Sequence, residues 1–350
     1  MKILSRILFC CIFLISCSPA DNTPASETFR HSILSFGSII DVSITGTDPL
    51  LAEQAFATLD EDFAYWHKVW NPWINGPLSR VNSLIPTEAG FNLPLHLIPL
   101  IRQSTALYEQ SEELFNPAIG HLLNLWKSHE TDISNKQPPD NDKIQALLAE
   151  NPNMLNLQLN GIRLQSNNAA VQLNFGAFAK AYAIDKSTET LQKLGIQNAV
   201  INAGGNLKVI GQHSDRARKI NIPHPRLKDS IIASVQPTDG ESVFTHADYN
   251  DYFIHNSARY HHILDPRTGY PANLSQSVTV IHNNAGIADA AATALFVAGP
   301  DHWHRIAKKM GIKYVMLVAA NGDIHINPAM IKRIQLNNTG HASVKISAAL

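Results

Sequence analysis

Cysteine is nearly absent from this chain of 350 residues: there are three, Cys10, Cys11 and Cys17, all within the first 17 positions. A body without cysteine excludes a disulfide framework, a thiolate metal site and a cysteine nucleophile together. Charge is also sparse. Charged residues make up 16%, and 28 Lys plus Arg stand against 29 Asp plus Glu for a formal net charge of -1. That balance lacks the basic surplus of a nucleic-acid binder and is too lean for a coiled coil. Repeats of 20–50 residues and low-complexity blocks are missing as well, which excludes a solenoid. What is present is a 45% apolar content, enough for a sizeable core. With no global field to act through, function must come from specific sites.

The first residues read as an export signal. Lys2 and Arg6 give a positive start, and Ile7 to Ile15 is apolar but too short to span a bilayer. The run ends in Leu14-Ile15-Ser16-Cys17, which resembles the bacterial lipobox, whose Cys is diacylated; a plain signal peptide is the alternative. The expected organisation is a lipoprotein signal peptide at 1–16, a flexible tether at 17–28 and one domain at 29–350. This places the protein in the bacterial cell envelope, lipid-anchored through Cys17 and facing the periplasm. Ser18 in place of Asp after the Cys favours the outer membrane in enteric-type bacteria.

Hydrophobic spacing predicts paired strands over His31 to Ile44 around Gly37, and a helix over Leu50 to Val69 with Leu51, Ala55, Leu59 and Phe63 in four-residue steps. Further helices are expected at Pro94 to Leu114, Phe178 to Leu194 and Ala288 to Val297, the last ending at Gly299-Pro300. Asp132 to Lys143 reads as a surface loop, and Leu155 to Leu164 as a hairpin turning at Asn160-Gly161. Strands are expected at Ala199 to Asn202, Leu207 to Gly211, Lys219 to Ile222, Ser230 to Gln236, Val278 to His282, Tyr314 to Ala319 and Ile324 to Ile326. Helices and strands mix without strict alternation, so the class is α+β.

Four stretches are unusual for a plain core. In Asn174-Phe175-Gly176-Ala177-Phe178-Ala179-Lys180, small residues open a helix so that a ligand can approach its free N–H groups. Lys180 would sit in the first turn, where the helix dipole disfavours a cation unless a phosphate compensates; tight helix packing is the other explanation. Asn202-Ala203-Gly204-Gly205-Asn206 reads by itself as an ordinary turn. His261-His262-Ile263-Leu264-Asp265-Pro266-Arg267 brings a base, a carboxylate and a guanidinium into one turn, where Asp265 and Arg267 are expected to brace the loop and His262 to remain available. Asp289 and Thr293, four apart among alanines, offer two oxygens on one helix face to a hard cation such as Mg²⁺, with an N-cap role for Asp289 as the rival.

Together these stretches resemble the FAD:protein FMN transferase family (ApbE-like flavin transferases). Its patterns are near D-L-G-G-x-A-K-G-Y-x-x-D, N-x-G-G-D, H-I-x-D-P-x-T-G-x-P and A-D-A-x-x-T-A. The similarity also takes in Phe36-Gly37-Ser38, Leu78 to Asn82, Phe115-Asn116-Pro117-Ala118-Ile119-Gly120 and Leu122 to Trp126. The resemblance implies a T-fold-like α+β architecture of mixed sheets with packed helices and a flavin cleft. It implies Mg²⁺-dependent transfer of FMN from FAD to a Ser or Thr hydroxyl of an acceptor protein, such as a membrane redox-complex subunit, with release of AMP. It puts the metal on the Ala177 carbonyl, Asp289 and Thr293, FAD against Phe36, Asn116, Lys180 and Ile263, and the catalytic base at His262.

The chain departs from those patterns in one direction. Asn116, Asn174 and Asn206 stand where Asp is usual, Ala181 replaces a Gly, and Thr245-His246-Ala247-Asp248-Tyr249 replaces a T-S-G-x-Y run. Three lost carboxylates would change the charge near flavin and metal. Two other readings therefore stay open: a pyrophosphatase splitting FAD into FMN and AMP, and a lipoprotein that binds FAD without turning it over.

Overall fold

A computed structural model describes residues 27–127, 136–211, 219–249, 251–337, 339–340 and 342–350. The proposed signal peptide, lipidation site and nearly all of the tether lie outside the described residues. Nine strands form the main sheet: β1 (Thr28–Ser35), β2 (Ser38–Thr45), β3 (Ala199–Ala203), β4 (Asn206–Ile210), β5 (Ser242–Ala247), β6 (Ser275–His282), β7 (Tyr314–Ala319), β8 (Ile324–Ile326) and β9 (Val344–Ile346). They lie side by side in chain order. All neighbours are antiparallel except β8 and β9. β1 begins at Thr28, the last residue assigned to the tether, whose hydroxyl meets that of Thr45 at 3.0 Å.

Chain-order pairing leaves the insertions between strands to build the rest of the molecule. The segment between β2 and β3 supplies α1 (Pro49–Trp70) and α2 (Ala179–Lys193), and the one between β6 and β7 supplies α3 (Ala285–Lys309). These helices cover one face of the sheet. The central strands alternate between two cores. Ile201, Phe244, Val280 and Leu317 face the helices. Val200, Val243, Ile281 and Met316 face a three-stranded sheet of Ile334–Leu336, Ile231–Val235 and Ile220–Pro223. A strand buried on both faces contributes twice, at roughly 1.5–3 kcal/mol per large apolar side chain.

Local chemistry sets the helix ends. Asp48 caps α1 by accepting from the Leu50 N–H at 2.9 Å, with Pro49 in the first turn. The expected helix at Pro94 to Leu114 is shorter: a 3₁₀ turn at Leu95–Leu97 leads into Ile98–Gln110. The loop expected through Lys143 gives way to a helix at Asn141–Ala149, because Asp140, just after the proline pair, caps it through the Asp142 N–H. The first helical stretch of α3 breaks at the expected Gly299-Pro300. Gly299 adopts φ 67°, ψ -176°, and Pro300 opens a second helical stretch to Lys309. Among the described residues no helix is long and apolar enough to cross a membrane.

Candidate active site

The motif-bearing segments converge at one end of the main sheet. The β1–β2 turn places Phe36 at φ 51°, its N–H donating to His67 Nδ1 of α1 at 3.1 Å and its ring stacked 6.3 Å from Trp70. The β3–β4 turn lies next to it: a Cβ on Gly204 would sit 3.2 Å from Ser38 Oγ. Gly204 and Gly205 both take positive φ, as the two-residue turn requires.

α2 begins immediately after Phe178, with Lys180 in its first turn. That turn carries no acidic residue, and Lys180 has no ion pair among the described residues. Its ammonium and the free N–H groups of the helix start thus present unneutralised positive charge. Gly176 is exposed and Ala177 partly so, leaving the approach to this end open.

α3 starts against the same place. Asp185 of α2 accepts from the N–H groups of Ala285 and Gly286, each at 3.0 Å, and binds Lys208 of β4 at 2.6 Å. Gly286 is pressed onto Phe178 so closely that a Cβ there would fall 2.8 Å from the ring. The N-cap of α3 is Asn284, which accepts from the Ile287 N–H. Asp289 is therefore not a cap, and the rival reading of that residue falls. It is 3% exposed, one turn beyond Gly286. Thr293 Oγ donates to the Asp289 carbonyl at 3.2 Å, which leaves its lone pairs free.

Among the described residues the Asp289 carboxylate has one hydrogen-bond partner, a residue that sequence reasoning passed over. His246 of β5 donates from Nε2 to Asp289 Oδ1 at 2.5 Å. The only signal for it in the sequence was the departure Thr-His-Ala from the family's Thr-Ser-Gly. The Asp185–Lys208 pair was likewise missed, since its partners are 23 residues apart on different elements.

The double histidine divides into two roles. His261 is buried: its Nε2 donates to the Ala272 carbonyl at 2.7 Å and its Nδ1 accepts from the Ile263 N–H at 3.2 Å. Both ring nitrogens are consumed in holding the turn. Its ring meets Phe296 of α3 edge-on at 5.4 Å, placing the turn one helical step past Thr293. His262 is half-buried, and its Nδ1 has only a long 3.5 Å contact with the Asp251 carbonyl. Burial first, and then the neighbouring His246 and His261, push its pKa down to about 4. The imidazole is thus neutral and able to accept a proton at neutral pH. Asp265 and Arg267 form the expected brace, with paired bonds from Arg267 Nε and an η nitrogen at 2.9 and 2.7 Å.

Ile263 is 4% exposed and spends its N–H on His261 and its carbonyl on the Ala272 N–H. Asn116 lines a cavity with Tyr108, His121, Asn151 and Arg267. Its Oδ1 accepts from the Ala118 N–H at 3.0 Å and its Nδ2 donates to the Pro152 carbonyl at 3.0 Å. The second bond needs an amide, so Asn at this position serves the local structure in a way Asp does not. Asn174 and Asn206 each use the side-chain oxygen to accept a backbone N–H, from Gly176 at 2.8 Å and Thr245 at 2.7 Å. That role an Asp would share.

A Mg²⁺ ion suits the donors present. Asp289 and Thr293 offer hard oxygens, and Asp289 Oδ2 has no hydrogen-bond partner among the described residues. No cluster of three or more His, Cys, Asp or Glu occurs among them either. Few protein oxygens near a cationic helix start would suit Mg²⁺ bound together with a phosphate better than the full cage of a structural metal.

Fold and side chains together define an α+β protein that carries a neutral imidazole, a pair of hard oxygens and an uncompensated cationic helix start at one sheet end. The chain belongs to the ApbE family, whose sequence pattern matches residues 36–316. A FAD:protein FMN transferase of Rhodobacter capsulatus is 35% identical over 310 residues, covering 89% of this chain and 58% of that protein. The chain thus spans less than two thirds of that relative's length. Among solved structures, the ApbE protein of Thermotoga maritima superposes with a TM-score of 0.76 at 26% identity, over 85% of this chain and 96% of its own. The apo flavinyl transferase ApbE of Pseudomonas stutzeri gives 0.72 at 28% identity, over 84% and 91%.

Proposed function

We propose that this protein transfers FMN from FAD to a Ser or Thr hydroxyl of an acceptor protein, releasing AMP, with Mg²⁺ as cofactor. The observation that carries the reading is the His262 imidazole, whose Nδ1 has only a long contact with the Asp251 carbonyl, taken with the Asp289–Thr293 oxygen pair, within the ApbE fold. Relatives named FAD:protein FMN transferase support it.

The acceptor oxygen attacks the phosphorus on the FMN side of the pyrophosphate. A new P–O bond forms there, the bond to the bridging oxygen breaks, and AMP leaves with that oxygen. His262 takes the hydroxyl proton during attack, which a neutral base of low pKa can do without first losing a proton of its own. Lys180 and the start of α2 draw the phosphates in. Phe36, Asn116 and Ile263 border the nucleotide. Asp289, Thr293 and the Ala177 carbonyl hold Mg²⁺, which when bound offsets negative charge on the pyrophosphate. The Leu14–Cys17 run supports a lipid anchor at Cys17 and a periplasmic setting, where an acceptor on a membrane redox subunit would be within reach.

Incubation with FAD, Mg²⁺ and a Ser/Thr-bearing acceptor fragment tests this, reading AMP by chromatography and acceptor mass. A gain of one FMN on the acceptor with stoichiometric AMP is expected. AMP with free FMN would replace the reading with hydrolysis, and bound FAD without AMP would replace it with a binding protein.

A further inference from the structure

We propose that His246 is a positioning residue for the divalent cation: it fixes the Asp289 carboxylate through Oδ1 so that Oδ2, which has no hydrogen-bond partner among the described residues, is left for the metal. This rests on the Mg²⁺ reading above and deepens it.

The geometry is specific. The His246 and Asp289 side chains are 12% and 4% exposed and meet at 2.5 Å. A carboxylate this buried on a helix can still rotate about its last torsion, and the aim of its second oxygen is then undetermined. His246 removes that freedom because its own backbone is held on both sides. It pairs with Val278 of β6, while the preceding Thr245 N–H donates to Asn206 and the Thr245 hydroxyl meets that of Thr279 at 2.9 Å. The imidazole therefore projects from the rigid middle of the sheet onto a helix residue. Groups that hydrogen-bond a ligating carboxylate typically change metal affinity 10–100-fold when removed. Here the supporting group is a histidine in the run that departs from the family pattern, so this chain has its own means of setting the carboxylate. His262 makes its contact, a long one, with the Asp251 carbonyl, and its hydrogen bonding does not involve Asp289.

Mn²⁺ is the probe, titrated into the protein without nucleotide and followed by the loss of its free-ion paramagnetic resonance signal, with Mg²⁺ as competitor. His246→Ala is expected to raise the Mn²⁺ Kd roughly 10–100-fold. His246→Gln, whose amide can donate to the same oxygen, should recover most of the affinity. Circular dichroism and melting of each variant separate loss of metal from loss of fold, and Gln rescue is a result that general damage to β5 would not give. Unchanged or tighter binding in His246→Ala would overturn the proposal. So would a nitrogen coupling in the pulsed spectrum of bound Mn²⁺, which would make His246 a direct ligand. Asp289→Ala is the control: if it keeps full affinity, the metal assignment fails whatever His246 does. Absence of binding in the unsubstituted protein removes the cation and this proposal with it.

Discussion

Two adjacent histidines show how chemistry is decided at the scale of single residues. Sequence alone named His262 over His261; in the structure His261 has both nitrogens engaged, whereas His262 Nδ1 has only a long contact with the Asp251 carbonyl. Replacing His262 with Ala should slow FMN transfer by roughly 10²–10⁴-fold while the FAD dissociation constant stays within a few-fold. Equal losses in both would remove the base role. With its pKa held near 4 by burial and neighbouring imidazoles, the base persists into acid. The acid limb of kcat/KM should then fall well below the ordinary histidine range, and a limb near 6.5 would contradict the environment described. Asn116 offers a quieter test. Asn116→Asp sets a carboxylate against the Pro152 carbonyl and loses the bond at 3.0 Å. Urea unfolding should show about 1–3 kcal/mol of destabilisation. A neutral result would mean the amide donor does nothing there.

At the scale of elements, the legible parts were those with a clean period or a turn signal. β2, β7, β8 and α1 emerge within a residue or two of the spacing that predicts them, while β1 starts three residues earlier than expected, at Thr28. β5 did not: Ser-Val-Phe-Thr-His-Ala crosses between two cores, and its polar residues serve cross-strand and cross-layer partners that no local pattern shows. The start of α3 is the same kind of case. Its first N–H groups are satisfied by Asp185, a hundred residues back, and Asp185 in turn holds buried Lys208. Asp185→Ala would uncap the helix and strand an ammonium inside. The expected loss is about 3–5 kcal/mol, read as a lowered denaturant midpoint at unchanged m-value. Double replacement by Asp185→Leu and Lys208→Met should restore much of that stability without restoring activity. A single Asp185→Ala variant with native stability would show that the pair contributes nothing.

At the scale of the whole molecule, the second layer is fastened to the sheet that carries the site by a shared apolar core and by one ion pair at its edge. Glu241, just before β5, receives both η nitrogens of Arg333 at 2.8 and 2.7 Å, and the Thr238 N–H at 2.7 Å. Arg333 sits between the short helix Pro328–Ile331 and the strand Ile334–Leu336 of the three-stranded sheet. Burial pushes the Glu241 carboxyl up, but Arg333 and the Thr238 contacts outweigh it and hold the group below the usual carboxylate value. A carboxylate depressed in the folded state stabilises the protein above its unfolded pKa, and that stability is lost as pH falls through the folded value. Arg333→Met leaves the carboxylate buried without its partner. The cost should be about 3 kcal/mol at pH 7 and should shrink toward pH 4, where the unpaired acid takes up a proton and no longer needs the guanidinium. Urea unfolding of both proteins at pH 7 and pH 4 checks this. A penalty equal at the two pH values would mean that Arg333 works through its guanidinium over the Tyr314 ring and that the Glu241 carboxylate plays no part in closing the layers.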